Sequence, residues 1–482
     1  MPNELMALCQ ALPHAAILGF GMALAQSSVD LDIVAEVMPP PMLAGLLISM
    51  GSLGDRKGHR KLLLIGSLGF TLVSVMTAYS STATQLVVGR ACMGVFGAML
   101  MPSTLALIRS VFEDREERRL AVAIWATTLT VGSALGPLVG GILLEFFSWG
   151  SIFLLAVPVL VPLLILGLWL LPESEPDASG PMDVISIALS MVALSALVYS
   201  IKHVASEGPD AWALAVLAVA IVSGWQFVRR QLRLPTPLMD LSLFRNKTFS
   251  GSVINLMSLA FMIGFVFFAT QLLQIVLGMS PLNASLALIP GQLMAIVVGI
   301  LIVPVAQRVS VNVLIPILLA FTAGAFLLVA SLGSSLTVIV VAFALLNIGV
   351  GAIATVSNDV ILSAAPANKA GAASAISETA YEVGVVLGTT VLGGLVTAYY
   401  RGTLHLPDFL SPMQMQLASE TLAGAHAISA TLAHDQASEV MGNAIQAFVG
   451  GTQLMAWATF SLAVLAIVIA RRTLKGQETA PV

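Results

Sequence analysis

Apolar runs of about twenty residues, broken by short polar turns, recur along most of this chain. A run of that length crosses a hydrocarbon core of ~30 Å as a helix rising 1.5 Å per residue. Lipid offers backbone N–H and C=O groups no partner, so only helices and closed barrels span it. Unbroken apolar runs, rather than ten-residue alternating ones, select helices. Such windows lie near 62–80, 84–111, 120–144, 150–171, 183–202, 210–228, 248–278, 283–306, 311–332, 335–364, 371–399 and 443–470. Two more precede residue 62, so about fourteen spans are expected, an even number that puts both termini on one side.

Composition agrees. Of 482 residues 58% are hydrophobic and 10% charged, with a mean hydropathy of +0.97; a soluble globular chain carries about 25% charged residues. The expected class is an all-α integral membrane protein. Cys9 and Cys92 make no disulfide framework, and the six histidines show no metal-binding pair. No cofactor, metal or nucleic-acid partner is expected. No Gly-x-x-x-x-Gly-Lys-Ser/Thr stretch occurs, which argues against ATP hydrolysis. Pumping would then draw on an ion gradient, and the chain is expected to be no enzyme.

Basic residues set the orientation. If the loop after residue 50 is inside, so are those near 112–119, 172–182, 229–247, 307–310 and 365–370, and the C-terminal tail. Of 21 Lys and Arg, Lys202 and Arg401 fall in outside loops and Arg90 lies within a span; the other 18 are on the inner side. Cytoplasmic loops carry this excess, so the chain is expected in a bacterial cytoplasmic membrane with both termini inside.

One loop is unusually specific. Gly51-Ser52-Leu53-Gly54-Asp55-Arg56-Lys57-Gly58-His59-Arg60-Lys61 puts one acid, four Lys/Arg and three glycines between two apolar segments. Gly58 suits a turn with positive φ, and Asp55 can cap or pair with the residues after it. The order resembles the motif A signature of the major facilitator superfamily, Gly-x-Leu-(Ala/Gly)-Asp-Arg-x-Gly-(Arg/His)-(Arg/Lys)-(Lys/Arg). That resemblance implies two six-helix halves and a gating role for Gly51, Asp55, Arg56, Gly58 and Arg60.

Two further motifs come next along the chain. Arg90 with Gly94 and Gly97 lies in the fourth span, where an arginine is costly unless it faces a cavity or partner; a side chain snorkelling to the interface is the plainer reading. The spacing resembles motif B, which implies a part in proton coupling. Gly132-Ser133-Ala134-Leu135-Gly136-Pro137-Leu138-Val139-Gly140-Gly141 sits in the fifth span. Pro137 removes a backbone hydrogen bond, while Gly132, Gly136, Gly140 and Gly141 permit close helix approach. Helix packing alone would explain it. Its order is similar to motif C, the antiporter motif, which implies export.

Glu378 and Glu382 stand four apart in the thirteenth span and share one helix face. Two carboxylates close together in low dielectric cannot both be ionised cheaply, so the pair can hold a proton or release it when a cation arrives. Two solvated glutamates favoured by a helix N-terminus are the alternative. The stretch resembles the acid-bearing thirteenth helix of quaternary-ammonium and methyl viologen exporters among the fourteen-span drug:proton antiporters. That implies recognition of cationic drugs and protons.

The N-terminal end departs from the family. Leu31 to Pro39 resembles its first-helix signature with two residues absent, which makes Asp32 the counterpart of its first-helix acid, with Asp30 and Glu36 as substitutes. Met42–Leu53 is 12 residues, roughly 18 Å of helix and short of a full span. Residues 1–41 are thus atypical, with a deletion one explanation. The expected organisation is 1–171 as the N-terminal half, 172–247 as a linker with two extra helices, and 248–482 as the C-terminal half, whose outer loop 400–442 carries short helices. Its His405, His426 and His434 are expected to face solvent. Asp359 is a lesser site candidate, and Glu145 with Trp149 an interfacial anchor.

The expected function is a monomeric, proton-coupled multidrug efflux antiporter exporting hydrophobic cations. Export of an endogenous metabolite or antibiotic, and a non-transporting scaffold, remain the alternatives at this stage.

Overall fold

The computed structural model describes residues 46, 50, 53–54, 57–111, 132, 136, 138–171, 183–234, 237–306, 308–365 and 370–474. Their regular structure is helical: α1 His59–Ala78, α2 Ala83–Val111, α3 Ser151–Leu154, α4 Ala156–Leu170, α5 Val184–Glu207 and α6 Ala211–Gln231. A 3₁₀ turn, Leu241–Arg245, then leads to α7 Lys247–Ile263, α8 Phe265–Gln271, a π-helical turn Leu272–Val276 and α9 Pro281–Ala306. α10 Val311–Leu332, α11 Leu336–Ala364, α12 Ala370–Thr403, α13 Pro412–Glu420, α14 Leu422–Ser429 and α15 His434–Thr473 complete the order.

Ten helices among the described residues are long and apolar enough to cross a membrane, and each overlies an expected window. α2 overlies an eleventh, and residues 138–146 continue the fifth span as helix. The first two windows lie mostly outside the described residues. The protein is therefore an all-α, multi-pass membrane protein. The expected loop 400–442 is shorter than its hydropathy implies: α12 runs on to Thr403 and α15 begins at His434. The first turns of α15 are polar, with Asp435 placed where a helix N-terminus favours an acid, so a hydropathy window misses them. Between lie α13, with a Ser411/Gln414 capping box, and α14. His405, His426 and His434 are exposed.

The described helices gather into two compact units, one holding the described residues up to Ser195 with Ile221–Asp240, the other Ala196–Ala220 and the described residues from Leu241 onward. In the first, α1 packs along α2 and α4. Glycines let them close: a Cβ on Gly150 would come within 2.1 Å of the Ala78 carbonyl, and one on Gly69 within 2.3 Å of the Phe96 ring. In the second, α7 lies against α12 and α11, α9 against α11, and α10 against α15. Leu259, Leu314, Ile315, Leu319, Ile353 and Ala470 form part of its core. Asn246 caps α7 through Thr248 N (3.0 Å) and donates to Ala364 O (3.2 Å), tying the start of α7 to the end of α11.

Helices α5 and α6 are fastened at each end. At their joining turn Trp212 Nε1 donates to Tyr199 OH (3.2 Å), Ser200 Oγ donates to Ala213 O (3.0 Å), and Arg401 Nη1 donates to Ser206 O. At the opposite end Arg230 Nη2 stands 2.8 Å from Asp183 Oδ1, and its Nε donates to both carboxylate oxygens at 3.0 Å. Ser186 also donates to Asp183, and accepts from Gln231 Nε2 at 2.7 Å. Burial opposes ionisation of Asp183, but the bonds from Arg230 and Ser186 outweigh it and hold the carboxyl below its ordinary value. A depressed carboxylate pKa stabilises the fold above the unfolded value, near 3.9, and that contribution fades as pH falls through the folded value. Asp183→Asn should therefore lower the unfolding midpoint at pH 7, and wild type and variant should converge as the pH drops below about 4. An offset that persisted under acid would contradict this role.

Candidate functional site

The charged stretch is expected as a loop, but where it is described it is helical on both sides of Gly58: Leu53, Gly54 and Lys57 are helical, and His59, Arg60 and Lys61 begin α1. Gly58 has φ 93°, a left-handed value that glycine adopts without strain, and it N-caps α1. Its N–H donates to Gly54 O (2.8 Å), and its carbonyl accepts from Leu62 N (3.1 Å). Gly54 needs its missing side chain, since a Cβ there would lie 2.3 Å from His59 Nδ1. Arg60 Nη2 donates to Leu168 O (2.7 Å), in the last turn of α4. A cation there satisfies a carbonyl that the helix leaves unbonded and complements the negative helix end. Gly51, Asp55 and Arg56 lie outside the described residues, as does Asp32.

Arg90 is on α2, partly buried, one residue after Gly89. A Cβ on Gly89 would lie 2.3 Å from Thr77 Oγ1, so α1 and α2 meet closely beside the arginine. In the motif C stretch Gly136, Gly140 and Gly141 are helical and buried, and Gly132 is partly so; Pro137 lies outside the described residues. Gly136 and Gly140 share a face, as close helix packing requires. Glu145 is exposed, and Trp149 stacks edge-on against Phe153 at 6.1 Å.

The acids of α12 lie inside an apolar span. Counting from Ile376, where that span begins, Glu378 is about 3 Å and Glu382 about 9 Å along the axis. Glu382 is only 8% exposed, and Glu378 is partly buried and engaged in an interaction of its own. Ser377, one residue before, is buried and donates to Asn358 on α11, while Asp359 is exposed. Thus the neighbour of the candidate Asp359, rather than Asp359 itself, joins this end of α11 to α12.

Glycines decide which way the acids face. A Cβ on Gly388 would come within 2.0 Å of Phe261 O, and one on Gly384 within 2.5 Å of Met257 O. α12 therefore rests on the backbone of α7 along the 384/388 face. At 100° per residue Glu378 and Glu382 stand roughly a quarter to two-fifths of a turn away from it. Neither Arg60's carbonyl partner nor this glycine contact is readable from the sequence, because both depend on a helix far away in the chain. Gly388→Ala should cost about 1–3 kcal/mol of stability through overpacking. Gly393→Ala, where the nearest atom would be Phe268 Cζ at 3.7 Å, should cost little; equal shifts in the unfolding midpoint would contradict the packing.

Comparison with known proteins shows the family of the chain. Residues 14–389 match the family model for the Major Facilitator Superfamily. The chain is 49% identical over 413 residues to the multidrug efflux pump LfrA of Mycolicibacterium smegmatis, covering 85% of this chain and 82% of that protein. It is 31% identical over 441 residues to the methyl viologen resistance protein SmvA of Salmonella typhimurium, covering 90% and 89%. It is 34% identical over 361 residues to the tetracenomycin C resistance and export protein of Streptomyces glaucescens, covering 74% and 67%. Its fold is similar to that of a bacterial homologue of the human lysosomal transporter Spinster, with a TM-score of 0.65 at 16% identity, covering 100% and 99%. With helices, motifs and relatives in agreement, the chain belongs to the major facilitator superfamily, and is a membrane transporter rather than an enzyme.

Proposed function

We propose that this transporter exports hydrophobic cations, such as quaternary ammonium compounds, viologens and dyes, in exchange for protons. The observation that carries the reading is a carboxylate, Glu382, buried within an apolar span one helical turn from a second, Glu378. Similarity to LfrA and SmvA supports drug efflux as the direction of transport. In this reading the basic loops face the cytoplasm, 1–171 and 248–482 are the two halves, 172–247 is the inserted pair, and the protein works as a monomer.

The cycle is dictated by charge. A bare carboxylate in hydrocarbon is costly, so the pair rests with a proton on it. A greasy cation arriving from the cytoplasm supplies the compensating charge and the proton leaves. After the protein has turned outward, protons from the acidic side re-occupy the acids and displace the drug. Arg90 biases where the proton is held, and Asp32, by family resemblance, adds a second proton site. The loop Gly51, Asp55, Arg56, Gly58 and Arg60 latches one conformation, and Gly132, Gly136, Pro137, Gly140 and Gly141 let their helix pack and bend during the change. Alternating access of this kind is the general mode of carriers built from two repeats.

A second reading has its own support in the similarity to the tetracenomycin C export protein: export of an endogenous, neutral or anionic antibiotic. Everted membrane vesicles separate the two. Ethidium or methyl viologen should collapse a preformed pH gradient with the wild-type protein and fail to do so with Glu382→Gln. A gradient that no cation dissipates would overturn cation–proton exchange, and unchanged exchange in the variant would remove Glu382 from it.

A further inference from the structure

Trp225 and Arg229 stand four apart on one side of α6, and Arg233 lies in the turn two residues beyond its end. All three are exposed. The Arg229 guanidinium carbon stands 5.1 Å from the centre of the Trp225 ring. Arg230, between them in sequence, is committed to Asp183. Among the described residues no carboxylate lies within ion-pair distance of Arg229 or Arg233. Along the span the same side of α6 is apolar and uncovered, with Leu214, Ile221, Val222 and Trp225 all at least half exposed.

We propose that this corner of α6 binds one anionic phospholipid, its phosphate seated on Arg229 and Arg233 and an acyl chain lying along Trp225, Val222, Ile221 and Leu214. The chemistry is specific at both ends. Cation–π contact holds the Arg229 guanidinium over the indole while leaving its N–H edges free to grip phosphate oxygens in pairs. An indole is also at home where hydrocarbon meets headgroups, which sets the depth of the arginine. A zwitterionic lipid brings its own cation to the site and leaves both positive charges uncompensated; an anionic one carries a net negative charge that offsets one of them. Because Arg230 on the same turn clamps the inserted pair through Asp183, an occupied site would steady that end of α5 and α6.

The purified full chain in a neutral detergent tests this by its unfolding midpoint. Phosphatidylglycerol should raise the midpoint by several degrees more than phosphatidylcholine does. In Arg229→Gln/Arg233→Gln the excess should vanish while the midpoint in phosphatidylcholine stays that of wild type, and inorganic phosphate at equal concentration should not replace the lipid. Contact is read separately in the otherwise native protein, where brominated phosphatidylglycerol should quench tryptophan fluorescence more than its phosphatidylcholine counterpart, with the excess gone in Trp225→Phe. Equal responses to the two lipids, an excess that survives in the double variant or in Trp225→Phe, or full replacement by phosphate would each overturn the proposal.

Discussion

A charged group in hydrocarbon costs several kilocalories per mole unless something compensates it, and the few charges of this chain are disposed accordingly. Arg60 closes on the carbonyl of Leu168 and Arg401 on that of Ser206, each at a helix end. Arg230 takes a carboxylate, Asp183, at the mouth of the inserted pair. Arg229 and Arg233 lie outward at a helix terminus. Glu382 is different in kind, an acid enclosed well inside an apolar span. In the function proposed, that acid is the group that binds and releases the proton.

Where that acid faces is a matter of packing. Lipid tails are as apolar as leucine, so membrane helices associate through close contact of small residues rather than through exclusion of water. Gly384 and Gly388 bring α12 onto the backbone of α7, and Gly351 brings α11 within 2.1 Å, at a notional Cβ, of the Ala295 carbonyl on α9. Contacts this tight admit few rotations of one helix on another. The rotation of α12 in turn sets the direction of Glu378 and Glu382, and the Ser377–Asn358 bond ties the same level of α12 to α11.

Much of this architecture is legible in the sequence because hydrophobic length is a local property. A run of apolar residues must become a spanning helix wherever it sits, and the described windows from 62 to 470 are helices. The turn at Gly58 is equally legible, since it needs only glycine's freedom at positive φ. The polar beginning of α15 is not, because hydropathy carries no signal for a helix that continues into water. Pairings between distant segments are hidden as well: nothing local links Arg60 to Leu168, Asp183 to Arg230, or Gly388 to Phe261. For the acids, spacing shows that Glu378 and Glu382 share a face, but whether water reaches them depends on neighbours brought in by folding. Asp359, the lesser candidate in the sequence, lies exposed, since burial belongs to the packed helices rather than to the residue.

In the function proposed, the acids of α12 surrender a proton when a hydrophobic cation binds. Purified protein in weakly buffered detergent solution, mixed with tetraphenylphosphonium and a pH indicator, tests it without any membrane or gradient. Wild-type protein should give a proton burst that saturates with the cation and is lost in Glu378→Gln/Glu382→Gln. Saturable binding of the cation with no proton released, or the same burst from the double variant, would contradict it.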